Sequence, residues 1–202
     1  HQALGVYEDY YGCEHDDIAT VLTQLAVCQS ELERYPEAEE LFSRAAGITE
    51  NSLGGDSPAL SDTFFNLANC YSFQRKFEQA LSFYRRSLEI AEQAVGADDS
   101  SYASKLTGLA YCYQLQERFA DAKPLYKRAL EICQSDPLCA EEELTDNLIG
   151  LANCHLETGE YAAARPLYEQ ALQYKQNKFD PKDQELASRI EVLLERMDHS
   201  VV

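Results

Sequence analysis

The sequence has no tryptophan, a single methionine, six prolines and nine glycines in 202 residues. So few prolines and glycines are unusual for a loop-rich all-β protein of this length. No apolar run reaches the roughly 18 residues that a membrane-spanning helix needs. The start of the chain, His1-Gln2-Ala3-Leu4, also lacks the basic residues and apolar stretch of a signal peptide. A soluble, mainly helical protein is therefore predicted.

Basic residues are scarce as well: 17 Lys and Arg stand against 35 Asp and Glu, for a net charge of −18. Such a surface repels phosphate backbones and anionic lipids, so neither nucleic acid nor membrane is expected as a partner. The seven cysteines are an odd number, so they cannot all pair within the chain. Free thiols are typical of a reducing compartment, and a cytoplasmic location is predicted.

What the sequence does contain is an internal repeat of 42 residues. Leu-Ala pairs recur at this interval, at Leu25-Ala26, Leu67-Ala68, Leu109-Ala110 and Leu151-Ala152. An aromatic column shares the period: Phe42, Tyr84, Tyr126 and Tyr168. Independent columns with one period indicate a repeat array, in which each repeat buries its apolar face against its neighbours.

The apolar spacing within a repeat is helical. In the second repeat Phe64, Leu67, Ala68 and Tyr71 fall on one helix face, and a second such face begins at Phe77, after three polar residues. Each repeat is thus predicted to be two helices joined by a tight turn. Small residues at Ala68 and Ala80 would mark the close approach of the two helices. Turn-rich segments with Gly, Asp, Ser and Pro separate the repeats, where they would cap helices or begin them.

This pattern resembles the tetratricopeptide repeat (TPR). The residues that carry the resemblance are Leu67-Ala68-Asn69-Cys70-Tyr71 and the column of Ala four residues before an aromatic, as in Ala122 and Tyr126. The period of 42, and the turn Leu53-Gly54-Gly55-Asp56-Ser57-Pro58, resemble the longer repeats of kinesin light chains. The resemblance implies an all-α, right-handed α-solenoid of antiparallel helix pairs. HEAT arrays and β-propellers share the period. HEAT repeats lack the Ala-to-aromatic column, however, and propeller blades need a Trp-Asp signature, whereas this chain has no Trp.

The predicted organisation is a single TPR array over residues 1–202. Residues 1–16 would be the end of a preceding repeat and its turn, which suggests a fragment of a longer array. The repeats and the C-terminal capping helix are assigned to residues 17–58, 59–100, 101–142, 143–184 and 185–202.

No motif for catalysis, cofactor binding or metal binding was found, so the protein is predicted not to be an enzyme. Four cysteines recur with the repeat (Cys28, Cys70, Cys112 and Cys154). Equivalent positions of neighbouring helices are about 8–10 Å apart, too far for a shared zinc ion or a disulfide. They are expected to be small buried residues. Cys133 and Cys139 could pair if their turn allowed, but structural thiols are the prediction.

The concave groove lined by the first helices is the expected binding site of such an array. Asn and Gln side chains there could hold the backbone of an extended peptide, and aromatic residues could hold its side chains. The predicted groove residues are Gln24, Asp62, Phe65, Asn66, Asn69, Phe73, Thr107, Tyr111, Leu115 and Asn153.

These features predict a protein- or peptide-binding scaffold, or adaptor. The predicted groove contains no Lys or Arg, so a neutral or basic partner is favoured over the acidic peptides that TPR clamps and kinesin light chains bind. The alternative is a self-assembly module, in which exposed half repeats at the array ends stack on other copies to form a homo-oligomer.

Overall fold

The computed structural model describes residues 15–176, 184, 188 and 190–195. The described residues contain no β-strand, and the predicted all-α fold of helix–turn–helix pairs is confirmed. Eight helices lie within residues 15–176: α1 (Asp16–Glu31), α2 (Tyr35–Leu53), α3 (Pro58–Phe73), α4 (Phe77–Val95), α5 (Ser100–Leu115), α6 (Phe119–Ser135), α7 (Glu141–Glu157) and α8 (Tyr161–Gln176).

A tight turn of one recurring geometry joins the two helices of each pair. In α3–α4 the amide of Lys76 donates to the carbonyl of Tyr71 at 2.8 Å, five residues back. Arg75 between them adopts a left-handed φ of 59°. These two features define a Schellman-type helix end, in which the left-handed residue satisfies the last carbonyls. At the equivalent position of the fourth pair is Gly159, the residue type that adopts this φ at least cost.

The connections between pairs follow the predicted capping residues in part. Gly54 and Gly96 end α2 and α4 with φ of 86° and 93°, and Asp99 accepts a hydrogen bond from the Ser101 amide at the start of α5. Pro58 begins α3 as predicted. Pro137, in the next connection but one, does not begin a helix, because α7 begins only at Glu141 and the segment before it forms a separate turn.

The two helices of a pair approach closely through small residues. Ser61 on α3 and Ser87 on α4 are buried and exchange hydrogen bonds, each hydroxyl donating to the other's backbone carbonyl at 2.9 and 2.7 Å. Ala68 and Ala80, at the predicted close approach nearer the turn, are completely buried. The aromatic column beside them fills the remaining space, and Tyr84 is completely buried as well.

The chain divides into two compact units, His1–Ala97 and Asp98–Val202. In the first, Ile18, Leu22 and Ile48 form one buried cluster and Leu60, Phe64 and Ile90 another. In the second, one cluster surrounds Tyr126, Leu148 and Tyr168, and further buried residues such as Leu106 and Ile132 lie outside it. No helix in the described part of the chain is long and apolar enough to cross a membrane.

Some predictions concern residues that lie wholly or partly outside the described part. The end of a preceding repeat in residues 1–16 falls almost entirely outside it. Of the predicted capping helix, 185–202, residues 190–195 are helical, and Ile190 packs into the core of the second unit.

The cysteine column is buried in three repeats but not in the first. Cys70, Cys112 and Cys154 are at most 1% exposed, as predicted, whereas Cys28 is exposed. Cys70 is covered by the first helix of the preceding pair, where Ser30 Oγ lies 3.3 Å from its sulfur. The prediction of a buried thiol was therefore wrong at Cys28.

Candidate functional site

A pocket of about 350 Å³ opens at the carboxyl-terminal ends of α1 and α3, beside the start of α2. We call it the Phe73 pocket. It contains three of the predicted groove residues, Asn66, Asn69 and Phe73. The remaining lining residues come from α1, α2, α3 and the α1–α2 turn: Val27, Ser30, Glu31, Glu33, Tyr35, Phe42 and Cys70.

An aromatic stack forms one wall of the Phe73 pocket. The rings of Tyr35 and Phe73 are nearly parallel, with an interplanar angle of 17° and centroids 5.0 Å apart. Phe73 nevertheless keeps 49% of its surface exposed. An exposed ring held in place by a neighbour can bury apolar surface of a ligand with little loss of side-chain entropy.

The amide of Asn69 has a fixed orientation in this pocket. Its Oδ1 accepts a hydrogen bond of 2.5 Å from the hydroxyl of the buried Tyr84 on α4. With the oxygen bonded on the core side, the Nδ2 group is the part of the amide that can donate to a ligand. Asn66 lies one turn earlier on α3, is half-buried and lines the same pocket.

Phe65 contributes to the core more than the prediction supposed. It is half-buried, and its ring meets that of Tyr84 edge to face at 5.9 Å. It is absent from the residues that line the Phe73 pocket.

A second pocket lies between the amino-terminal halves of α1 and α3 and the end of α2. This pocket, of about 360 Å³, contains Gln24 and Asp62, both exposed, together with Asp16 and four threonines. We call it the Asp62 pocket. The first unit therefore gathers five predicted groove residues into two neighbouring pockets along one helix face.

The other four predicted residues lie in the second unit. Asn153 repeats the arrangement of Asn69, since its Oδ1 accepts a 2.6 Å hydrogen bond from Tyr168. Thr107 on α5 donates to Asn147 Oδ1 on α7 at 2.7 Å, so its hydroxyl joins two neighbouring first helices. Tyr111 is 40% exposed and Leu115 is half-buried, which leaves apolar surface on the same helix.

Acidic side chains dominate the charge at both pockets of the first unit. Glu31 and Glu33 are exposed at the Phe73 pocket, and Asp16 and Asp62 at the other; none of the described residues that line either pocket is basic. Negative potential in a concave site attracts cations and repels anions.

Two basic side chains of the first unit are held by carboxylates outside the pockets. Lys76 binds Glu39 at 2.9 Å, and Arg86 binds Asp56 at 2.7 Å. Partial burial raises the pKa of Glu39, but hydrogen bonds from Lys76 and Gln74 outweigh it and leave that pKa below its ordinary value. Glu39 therefore stays charged and retains Lys76 at neutral pH.

A family model for the tetratricopeptide repeat matches residues 1–50, 17–93 and 101–177. The chain belongs to the tetratricopeptide repeat family. Proteins of this family generally serve as protein-interaction scaffolds.

Solved TPR structures are similar to this TPR chain. BtubC (BKLC) from P. vanneervenii shares 23% identity at a TM-score of 0.75, over 83% of this chain and 68% of the other. A putative kinesin light chain of nearly identical TPR-like repeats from Podosopora anserina shares 18% identity at a TM-score of 0.72, over 92% of each chain. These similarities support the kinesin light chain-like type of repeat. No curated protein sequence matches the chain.

The TPR pattern alone did not single out Tyr35 and Phe42 as pocket residues. Both fall in columns that are typical of core positions, and Phe42 is indeed buried, yet both line the Phe73 pocket. The sequence contains one signal. The position of Phe42 is occupied by tyrosine in the other three repeats, so the absence of a hydroxyl group distinguishes the first repeat.

Proposed function

We propose that this TPR chain is a non-enzymatic peptide-binding scaffold, or adaptor, whose first helices hold an extended segment of a partner protein. The observation that carries the proposal is the Phe73 pocket, where an exposed aromatic stack and an oriented amide lie side by side in an acidic site. Exposed apolar surface next to directed hydrogen-bonding groups is typical of peptide-binding grooves.

The expected ligand presents an apolar side chain to the Tyr35–Phe73 stack and a backbone carbonyl to Asn69. Nδ2 of Asn69 can donate to that carbonyl because Tyr84 already occupies Oδ1. Asn66, one turn away, offers both a donor and an acceptor to the next peptide group. An extended chain exposes such groups at regular intervals, whereas a helix satisfies them internally.

The charge of the site favours a neutral or basic segment. Glu31 and Glu33 face the ligand, and like charges across an interface suppress wrong partners. Rising salt should weaken binding only modestly, since the aromatic contacts are not screened.

The test is fluorescence anisotropy with two extended peptides of equal length, each with one Tyr anchor flanked by either Lys or Glu. The Lys peptide is expected to bind more tightly. Phe73→Ala should weaken its binding roughly tenfold or more, as expected of an aromatic anchor. Val95→Ala is the matched control, because Val95 is exposed at the end of α4 and outside both pockets.

Tighter binding of the Glu peptide, or equal loss in both variants, would contradict the proposal. Sedimentation of the chain alone over a range of concentrations addresses the alternative. Association without any peptide, abolished by neither variant, would favour a self-assembly module that stacks through the ends of the array.

A further inference from the structure

Two thiols and a carboxylate meet at the junction between α6 and α7, in the second unit. Cys133 lies in the last turn of α6, Cys139 in the connecting segment and Glu143 in the first turn of α7. The two sulfur atoms and a carboxylate oxygen of Glu143 all lie within 4.8 Å of one another. Cys133 is buried, and the other two are half-buried.

The local fold of the connecting segment creates this cluster. After α6 ends at Ser135, the side chain of Asp136 accepts a hydrogen bond from the Leu138 amide at 2.8 Å. Its carbonyl accepts another from the Cys139 amide at 3.0 Å. These bonds reverse the direction of the chain, so that the thiol of Cys139 lies close to the thiol of Cys133, six residues earlier. Glu143 follows by four residues, one helical turn onwards.

The spacing of the three ligand atoms suits a tetrahedral metal ion. Zinc binds thiolate sulfur at about 2.3 Å and carboxylate oxygen at about 2.0–2.2 Å, so ligand atoms around it are roughly 3.5–3.8 Å apart. Contraction by at most about 1.3 Å from the observed limit of 4.8 Å would complete that geometry. Rotation of the Cys139 side chain in its turn can supply such a shift.

Neighbouring polar groups hold two of the three candidate ligands. Oε1 of Glu143 accepts a 2.5 Å hydrogen bond from Ser104 on α5. Nδ2 of Asn147 lies 4.0 Å from the Cys133 sulfur and donates to the Glu143 carbonyl at 2.9 Å. Hydrogen bonds of this kind orient the ligands of metal sites.

The charges nearest the thiols are negative. The charged groups acting on Cys139 are the carboxylates of Glu143 and Asp136, and the same two act on Cys133. This arrangement offers a divalent cation both soft sulfur ligands and opposite charge. The ion pair of Arg128 with Asp98, and the hydrogen bond from the Ser101 amide to Asp99, are separate contacts near the start of α5.

We propose that Cys133, Cys139 and Glu143 bind a thiophilic divalent cation, with zinc as the expected occupant. Binding converts the two thiols to thiolates and releases their protons to solvent, without oxidation or reduction. The fourth position is open to water. The bound ion would join the end of α6 to the start of α7 and so fix the connection between two helix pairs.

The test uses the full chain, reduced, stripped of metal and titrated anaerobically with Co²⁺ as a probe. One equivalent should produce a thiolate-to-cobalt charge-transfer absorption and raise the melting temperature, because a ligand that binds the folded state stabilises it. Zinc should then displace the cobalt. Cys139→Ser and Glu143→Gln should each weaken binding by about tenfold or more.

The matched control is Cys28→Ser, since Cys28 is an exposed thiol in the other unit. It should bind cobalt like the parent chain, which separates this site from adventitious binding to a single thiol. The proposal is overturned if Cys139→Ser binds as tightly as the parent chain, or if the reduced chain shows no charge-transfer absorption. A chain that forms a Cys133–Cys139 disulfide in air but binds no cobalt when reduced also overturns it.

Discussion

The hydroxyl of Tyr84 donates to Oδ1 of Asn69 at 2.5 Å, and the same bond joins Tyr168 to Asn153 two repeats later. Each bond links the two helices of a pair across buried surface. Burial raises the pKa of Tyr168 to about 12, so its hydroxyl stays protonated and can donate. These asparagines thus have a structural role in addition to the ligand-binding role proposed for their Nδ2 groups.

The other two repeats lack this bond: the first changes both partners, and the third changes only the asparagine. In the first repeat Val27 stands at the asparagine position and Phe42 at the tyrosine position, and neither side chain can form a hydrogen bond. In the third, Tyr111 stands in the asparagine column, and the hydroxyl of Tyr126 donates instead to Gln114 at 3.0 Å. A buried hydroxyl is therefore kept only where an acceptor is present, since an unsatisfied one would be costly.

Tyr84→Phe should lower the free energy of unfolding by about 0.5–1.5 kcal/mol, because Asn69 Oδ1 loses its partner. Asn69→Val should be destabilising as well, since it removes the Oδ1 acceptor of the buried Tyr84 hydroxyl. The double variant reproduces the pair Val27 and Phe42 and should recover part of the loss. Urea denaturation of all four proteins measures the coupling directly.

Tyr161→Phe serves as the control for that cycle. The equivalent positions already hold Phe77 and Phe119, and Tyr161 is exposed. Its stability should be unchanged. Strict additivity of the two single changes would argue against the hydrogen bond between Tyr84 and Asn69.

Equivalent ion pairs in the two units have opposite polarity. Glu39 on α2 binds Lys76, which follows α3, at 2.9 Å, whereas Lys123 on α6 binds Glu160, which follows α7, at 2.6 Å. The partners are 37 residues apart in both cases. The residue beside each pair differs as well, since Tyr71 in the first unit is replaced by His155 at the equivalent position of the second. Lys76 lies over the ring of Tyr71, whereas Glu160 binds the imidazole of His155 at 2.5 Å.

Lys76→Glu should lower the melting temperature, because it places a carboxylate beside Glu39. Adding Glu39→Lys copies the polarity of the second unit and should restore most of the loss. The effect should be below about 1 kcal/mol, as is usual for partly exposed pairs. It should shrink in high salt. Thermal melts at low and high ionic strength provide the measurement, and a double variant no more stable than the single one would contradict the pairing.

Acid should remove the contribution of Glu160. Hydrogen bonds from Lys123 and His155 lower the pKa of Glu160 to about 2, below the value of about 4.3 expected in an unfolded chain. A lowered folded-state pKa gives stability that is present above the unfolded value and is lost as pH falls through the folded value. The melting temperature of the parent chain should exceed that of Glu160→Gln above about pH 5, and the difference should vanish towards pH 2. A difference independent of pH would contradict this.

Gly150→Ala should destabilise the second unit. A Cβ atom at this position would lie 2.5 Å from two ring carbons of the buried Tyr126, so the ring or the helix must move. Overpacking of this kind costs about 1–3 kcal/mol. Gly47→Ala is the matched control, since nothing beyond its own stretch of helix lies within 4 Å of the place its methyl group would take, and alanine favours a helix. Chemical denaturation should show loss in the first variant and none in the second.

Much of the fold could be predicted because the repeat supplies the same information four times. The 3.6-residue spacing identified both helices, and the small residues at Ala68 and Ala80 indicated their close approach. The exposure of Cys28 could not be predicted in this way, since a column assigns one environment to all its members. The environment of a thiol depends also on the residues of a neighbouring pair that pack on it, as Ser30 packs on Cys70.

For the candidate site, the sequence predicted only which helix face its residues share. The spacing placed Asn66, Asn69 and Phe73 on one side of α3, and the structure brings them into one pocket. The stacking of Tyr35 on Phe73 depends on how the turn between α1 and α2 positions Tyr35, and no sequence pattern in that turn predicts it.

By itself, the sequence determined the helix–turn–helix repeat, its apolar columns and the acidity of the chain. These are properties of residue spacing and composition, and the period of 42 repeats the same signal in each repeat. The tertiary structure alone decided which atoms meet across helices: the amide of Asn69 with the hydroxyl of Tyr84, or the thiols of Cys133 and Cys139. Periodicity fixes which face of a helix is buried, but contacts between side chains depend on the rotation and separation of neighbouring helices and on how each turn closes.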